Sequence, residues 1–514
     1  MKKIFTISML LVAMLVAFST EAQNKRYFDE IFDKVSVSTH TYGVNATILY
    51  VQIFGEAVPA PLAMDVYTPD GDTETNRPLV LYFHTGDFLP FPQNGSPSGT
   101  RSDSTAVDIC TKLAKRGYVV ASVDYRLGWA PTSTDKTTRI FTLLNAAYRG
   151  VQDARTCIRY FKKDVNENGN SFGIDPNKIV IWGQGTGGYI ALNTGCLDNY
   201  LKIPTASNGK FVTVIGGNTV PMVIPSVNGD IYGTSVGVVP AGYPGFPEGD
   251  TLCYPNHVGY DSDFALSVNM GGAVADTAWI DPGQPPLISF HTPYDPFAPY
   301  KEGIVKVPVN PPLDVVEVQG SYLAMKLANQ YGNNDAFTNI IFNDPVSQVA
   351  NTRNDGIEGL FPVIGDAGPF DSSPWDFWAP TNTNNANGLM TNSTMSPEKG
   401  RSYIDSMITY YSYRACYALD LECKGVGTKE QLTENQVGLK FGPSPAENQV
   451  TFSTASDYVI NDVYVYDIQG RLVKAKTHVD SNNYNLERFN LPSGNYMVNL
   501  IFKQGMITKQ ITFK

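Results

Sequence analysis

Ile179-Val-Ile-Trp-Gly-Gln-Gly-Thr-Gly-Gly-Tyr-Ile-Ala-Leu192 decides the reading of this chain. Four apolar residues run into a glycine-rich corner, and an apolar helical start follows. This is the sequence shape of a nucleophile elbow: a strand ends, the chain turns sharply, and the turn residue stands above the sheet at a helix N-terminus. The chemistry of such a corner needs Gly-x-Ser-x-Gly, and the chain reads Gly183-Gln184-Gly185-Thr186-Gly187. The framing glycines are present, but the nucleophile position, Gly185, has no side chain. Glycine also relieves the backbone strain that another residue carries at such a corner, on the order of 1–3 kcal/mol.

Working outward, residues 78–83 form a continuous apolar run of the kind buried on both faces of a parallel sheet, ending at His84-Thr85-Gly86-Asp87-Phe88. A helix is expected near 103–116, with Ala106, Val107, Cys110, Leu113 and Ala114 on one face and Gly117 at its C-cap. A second buried strand covers 118–124, and a helix with Ala147, Val151, Ala154, Ile158 and Phe161 as its stripe covers roughly 143–162. Residues 45–69 carry two further strands. Beyond the corner, 264–270 and 287–291 read as strands, 320–331 as a helix, 337–342 as a last strand and 401–418 as a helix. This alternation predicts an α/β fold, a doubly wound and mostly parallel sheet. Two long insertions, about 200–262 and 343–400, interrupt it, and loops of that length are often functional. After a polar linker at 425–436, short alternating strands spaced by turn residues predict a small all-β sandwich over 437–514.

The chain has 514 residues, more than one typical domain. A net charge of −11 argues against nucleic acid or an anionic membrane as partner. Lys2 and Lys3 precede an apolar run over 4–18, and Thr20-Glu21-Ala22 offers a cleavage site, so 1–22 reads as a secretory signal peptide. No other run is long and apolar enough to span a bilayer. Of six cysteines, Cys416 and Cys423 are close enough to close a short loop, Cys196 and Cys253 could pair, and Cys110 and Cys157 fall on apolar helix faces as buried thiols.

Four segments in order resemble the carboxylesterases of the α/β-hydrolase family. They are Arg77-Pro-Leu-Val-Leu-Tyr-Phe-His-Thr-Gly-Asp-Phe88, Val123-Asp-Tyr-Arg-Leu127, the Asp175–Gly188 elbow run, and Pro285-Pro-Leu-Ile-Ser-Phe-His-Thr-Pro-Tyr-Asp295 with its continuation to Tyr300. The resemblance covers roughly 45–420, implies a hydrolase-like domain over 23–424, and places the family's acid on Asp295. The last 75 or so residues resemble a type A sorting domain of the type IX secretion system of Bacteroidota. The resemblance rests on Pro443-Ser-Pro-Ala446, Val463-Tyr-Val-Tyr-Asp-Ile-Gln-Gly-Arg-Leu-Val473, Leu491-Pro-Ser-Gly-Asn-Tyr496 and Thr508-Lys-Gln-Ile-Thr-Phe-Lys514. It implies the type IX machinery as a partner and a secreted or cell-surface location.

An acyl hydrolase needs a nucleophile, a base, an acid that orients the base, and oxyanion donors. Thr186 has a hydroxyl but sits one residue late, where the family offers a backbone N–H. The family's base follows the acid, and the five histidines are His40, His84, His257, His291 and His478, with none between 292 and 477. Thr85, Gly86 and Thr186 form the remnant of the oxyanion hole, and Asp87 beside it has the wrong sign for an oxyanion. Asp295 is read as a vestigial acid that caps its own turn. No cofactor is required. A weaker signal is Asp164, Asn166, Asn168, Gly169 and Asp175, at the spacing of a calcium loop but with few carboxylates. Three readings stay open: a surface pseudoenzyme that binds a ligand or partner, an active carboxylesterase with an unorthodox mechanism, and a structural or adhesive surface protein.

Overall fold

The computed structural model describes residues 26–423 and 432–514. The expected signal peptide and most of the expected linker lie outside them. The central sheet takes its first seven strands as β1 (Val35–Thr47), β2 (Val58–Pro69), β3 (Arg77–Phe83), β4 (Val119–Val123), β5 (Ile174–Gln184), β6 (Leu266–Met270) and β7 (Leu287–His291). A hairpin of β8 (Glu302–Val307) and β9 (Leu313–Gly320) stands outside it, and β10 (Leu360–Pro362) completes it. The strand order is β1-β2-β4-β3-β5-β6-β7-β10. β2 runs antiparallel to β1 and β4, and the other pairings are parallel.

The helices that cover it are α1 (Ser104–Lys115), α2 (Lys136–Glu167), α3 (Thr186–Cys196), α4 (Ser321–Gln330), α5 (Pro345–Asn351) and α6 (Pro397–Ala418). The period-2 geometry of β3 explains its unbroken apolar sequence. Leu79, Leu81 and Phe83 pack against Ile158 and Phe161 of α2 and Ile190 of α3. Val80 and Tyr82 pack on the other face against Ile109 and Leu113 of α1 and Met407 and Tyr411 of α6. The sheet is therefore covered on both sides, an α/β-hydrolase arrangement.

Several expectations are corrected. The run 337–342 is not the last strand: Asp335–Thr338 is a helical turn that buries Phe337, while Ile341 is 77% exposed. The last strand is β10, inside the segment expected to be irregular. The second helix is longer than its stripe suggested, because Asp135 accepts from Thr137 N and Thr138 N and so starts it at Lys136. Cys196 and Cys253 are not paired; both are free and buried, as are Cys110 and Cys157. Cys416 and Cys423 form a disulfide.

Both insertions have a physical rationale. Irregular backbone leaves carbonyls that need donors. In 200–262 these come from α2: Asn145 donates to Met222 O (2.9 Å), Tyr148 to Gly229 O (2.9 Å), Gln152 to Asp230 O (2.7 Å) and Arg159 to Asn256 O (3.2 Å). In 343–400 the asparagines are themselves the donors, to the loop that follows the oxyanion segment. Asn382 reaches Pro97 O (2.7 Å), Asn384 reaches Ser96 O (2.9 Å) and Asn387 reaches Gly95 O (3.0 Å).

Residues 432–514 fold as two facing sheets with a core of their own. The strands are β11 (Lys440–Gly442), β12 (Gln449–Ser453), β13 (Asp462–Asp467), β14 (Leu472–Lys476), β15 (Asn483–Glu487), β16 (Gly494–Ile501) and β17 (Met506–Phe513). One sheet is β11-β12-β15 and the other β14-β13-β16-β17. Val450, Phe452, Val463, Val465, Val498, Leu500 and Ile511 fill the space between them.

Candidate active-site remnant

The corner between β5 and α3 is built by close contact. A Cβ at Gly183 would overlap the Gly187 carbonyl, and one at Gly187 would overlap the Phe83 carbonyl, so only glycine fits the framing positions. Gly185 has φ 55° and ψ −115°, and its N–H donates to Met270 O at 2.7 Å. This is the positive-φ backbone that favours glycine. A Cβ added there would fall inside the Thr85 hydroxyl and 3.0 Å from Thr85 Cβ. The Thr85 side chain thus stands where a nucleophile would project.

The hydroxyl of Thr186 is committed elsewhere. Tyr125 donates its proton to His84 O (2.9 Å), so the 2.9 Å contact between Thr186 and Tyr125 has Thr186 as donor. The backbone N–H groups of Thr85, Gly86 and Thr186 have no acceptor among the described residues.

Asp295 lies close by. Its Oδ1 accepts from Phe297 N (2.8 Å) and Ala298 N (3.1 Å), a turn cap within its own loop. Its Oδ2 and the Cζ2 edge of Trp375 face one point above Gly271, at 3.5 and 3.6 Å from a Cβ placed there. Gly271 follows Met270, the acceptor of the Gly185 N–H. Burial, then the nearby charge of Asp87, push the Asp295 carboxyl up to about 7. Asp87 keeps contact with solvent, yet the protein around it lifts its own carboxyl to about 6. Asp87 and Phe88 both have positive φ, 58° and 54°, and consecutive non-glycine residues in that region mark a strained loop.

His291 lies 3.7 Å from Asp295 but is not free to act as a base. Ala298 O can only accept, so Nε2 carries the proton and donates to it (2.9 Å), and the bare Nδ1 accepts from the Ser321 hydroxyl (2.6 Å), which in turn accepts from Asn269 (2.8 Å). Both ring nitrogens are used, and burial lowers its pKa to about 4. His84 stacks on Tyr125 at 4.7 Å and places Nε2 3.6 Å from Asp124. His257 binds Tyr42 O at 2.7 Å, far along the chain from the corner.

Sequence reading did not single out Tyr189 or Trp375, whose buried hydroxyl and indole N–H have no partner among the described residues. The signal for Tyr189 was available, since one helical turn after Gly185 places it beside the corner. Trp375 arrives from an insertion and left none. The residues considered for calcium have partners within the chain. Asp164 lies in the last turn of α2 and accepts from Ser171 N (2.8 Å) and Ser171 Oγ (2.6 Å). Asn166 donates to Lys162 O (2.8 Å), and Asp175 caps Asn177 N (2.9 Å). Asn168 ends the helix.

Residues 64–214 match the model of the BD-FAE family, and 440–514 match the secretion system C-terminal sorting domain. The relatives include Esterase cest-33 of Caenorhabditis elegans, 27% identical over 153 residues, 27% of this chain and 24% of that protein. Gut esterase 1 of the same organism is 26% identical over 151 residues, 29% of this chain and 23% of that one. The matched part thus spans about a quarter of the length of these esterases. Among solved structures, apo Thermogutta terrifontis esterase 2 is 18% identical, over 51% of this chain and 74% of that chain, with a TM-score of 0.28. The chain carries an esterase-like α/β-hydrolase domain. A secretion system sorting domain follows it and directs the protein by type IX secretion to the cell surface or the exterior. No helix among the described residues is long and apolar enough to cross a membrane.

Proposed function

We propose that this protein is a secreted pseudoenzyme that keeps the scaffold of an esterase and uses the site around Gly185 to bind a ligand or partner rather than to cleave one. One observation carries this reading: the Thr85 side chain occupies the position of the missing nucleophile, so the corner has been refilled as well as emptied. The hydrogen bonds that hold His291 neutral, and the absence of a histidine between 292 and 477, support it. The N–H groups of Thr85, Gly86 and Thr186 and the Tyr189 and Trp375 groups, which have no partner among the described residues, support a binding role.

A second reading has one observation in its favour, since the Thr85 hydroxyl itself lies at the nucleophile's place. It lacks a base, because no hydrogen bond from that hydroxyl exists among the described residues, and an unassisted hydroxyl is a weak nucleophile. Purified protein assayed on short activated esters decides between the two. No turnover above a heat-denatured control is expected. Turnover that a serine-reactive phosphonate or Thr85→Ala abolishes would overturn the pseudoenzyme reading.

A further inference from the structure

The β13–β14 turn of the sorting domain, Asp467-Ile-Gln-Gly-Arg471, is organised twice over. Internally, Asp467 accepts from Gln469 N (2.9 Å), Arg471 N (3.0 Å) and Arg471 Nε (2.7 Å), which fixes the loop and aims the guanidinium outward. Externally, Ile468, Gly470 and Arg471 meet the hydrolase-like domain. Arg471 pairs with Asp366 and lies 5.3 Å over the Tyr403 ring of α6. Ser406 of α6 donates to Gly470 O at 2.8 Å, and Arg353 donates to Ile468 O. Gly470 sits at φ 83° so close to the larger domain that a Cβ there would be 3.4 Å from Val349 of α5 and 3.5 Å from Phe361 of β10. One residue before the turn, Tyr466 packs against the core of the larger domain.

From this we infer that the Asp467–Arg471 turn is a docking plug: it seats the sorting domain noncovalently on the α5–β10–α6 edge of the hydrolase-like domain and keeps the two together without the connecting peptide. Two consequences follow from the contacts. The turn is unavailable to any other partner while it is seated. The short edge strand β10, which an open sheet would otherwise expose at its rim, has the plug beside it. The seat combines a preorganised ion pair, a cation–ring contact and main-chain hydrogen bonds, a polar mixture typical of interfaces between domains of one chain.

The test uses the full chain with a specific protease site placed within 425–431. After cutting, the two pieces are passed over a size-exclusion column at micromolar concentration. The expected result is that they co-elute. The variants Arg471→Ala, on one side of the seat, and Ser406→Ala with Arg353→Ala, on the other, should weaken the association roughly tenfold or more, as the loss of several partly buried contacts implies. Circular dichroism of each variant checks that its fold is intact, and having variants on both domains guards against one that fails to fold. Wild-type pieces that separate as soon as the chain is cut would overturn the proposal. So would folded variants whose pieces stay together as firmly as the wild type.

Discussion

Serine cannot simply be written back at position 185. It would take on the positive-φ corner, worth about 1–3 kcal/mol for a non-glycine residue, and its Cβ would press on Thr85. Gly185→Ser is therefore expected to lower the melting temperature and to remain inert on activated esters. Gly185→Ser with Thr85→Gly should recover part of the stability but no activity, because His291 keeps its two hydrogen bonds; an active double variant would show that another base is in reach. Asp295 makes a second prediction. Its carboxyl is raised to about 7, so its contribution to stability is complete below the usual carboxylate pKa and is lost as pH rises through 7. His291, lowered to about 4, has the opposite slope: its contribution is present above the usual imidazole pKa and lost as pH falls towards 4. The two offset each other across the same window. Asp295→Asn keeps an acceptor for Phe297 N and Ala298 N and removes one slope. The variant should gain stability over wild type on going from pH 5 to pH 7.5, on the order of 1–3 kcal/mol, read from melting curves at both values. A difference that does not change with pH would show that the Asp295 carboxyl titrates in the ordinary range.

At the scale of elements, legibility follows from how local the cause of each element is. β3, β4 and β5 are runs buried on both faces, so their own composition declares them, and the glycines of the corner are fixed by contacts a few residues away. β10 could not be read that way. It has three residues, Leu360-Phe-Pro362, and is a strand only because β7 offers it a partner. The run at 337–342 has better strand composition but no partner, and it turns instead to bury Phe337. The candidate site divides along the same line. Gly185, Thr85 and Asp295 were visible because they lie within motifs. The filling of the Gly185 corner by Thr85 was not, because it depends on two segments about a hundred residues apart. The insertion at 200–262 is also explained from outside itself, by the donors on α2. That helix in turn is fixed by a buried pair, with Arg126 N and Nε donating to Asp153 at 2.8 Å. Asp153→Ala would leave a buried guanidinium without its partner, and its expected cost is about 3–5 kcal/mol in chemical denaturation. A loss under 1 kcal/mol would mean that the carbonyls around Arg126 suffice on their own.

For the molecule as a whole, export exposes cysteines to an oxidising exterior, and the fold deals with each of them. Cys416 and Cys423 are joined, closing the end of α6 just before the chain leaves the hydrolase-like domain. The other four are buried, and burial pushes their thiols up, that of Cys196 to about 12. A thiol that stays protonated and enclosed is a poor nucleophile and does not enter exchange. The pairing of Cys416 with Cys423 was readable from spacing. The separation of Cys196 from Cys253 was not, because it depends on how 200–262 lies along α2. A thiol-reactive chromophore should therefore find no reactive cysteine in the native protein and four after unfolding without reductant. Reduction should cost about 2 kcal/mol, as expected for a short closed loop, and the loss should fall on the hydrolase-like domain and leave the β-sandwich, with its separate core, unchanged. Rapid labelling of one thiol in the native state would show that the wall over that cysteine opens, and the labelled peptide would identify which segment does so.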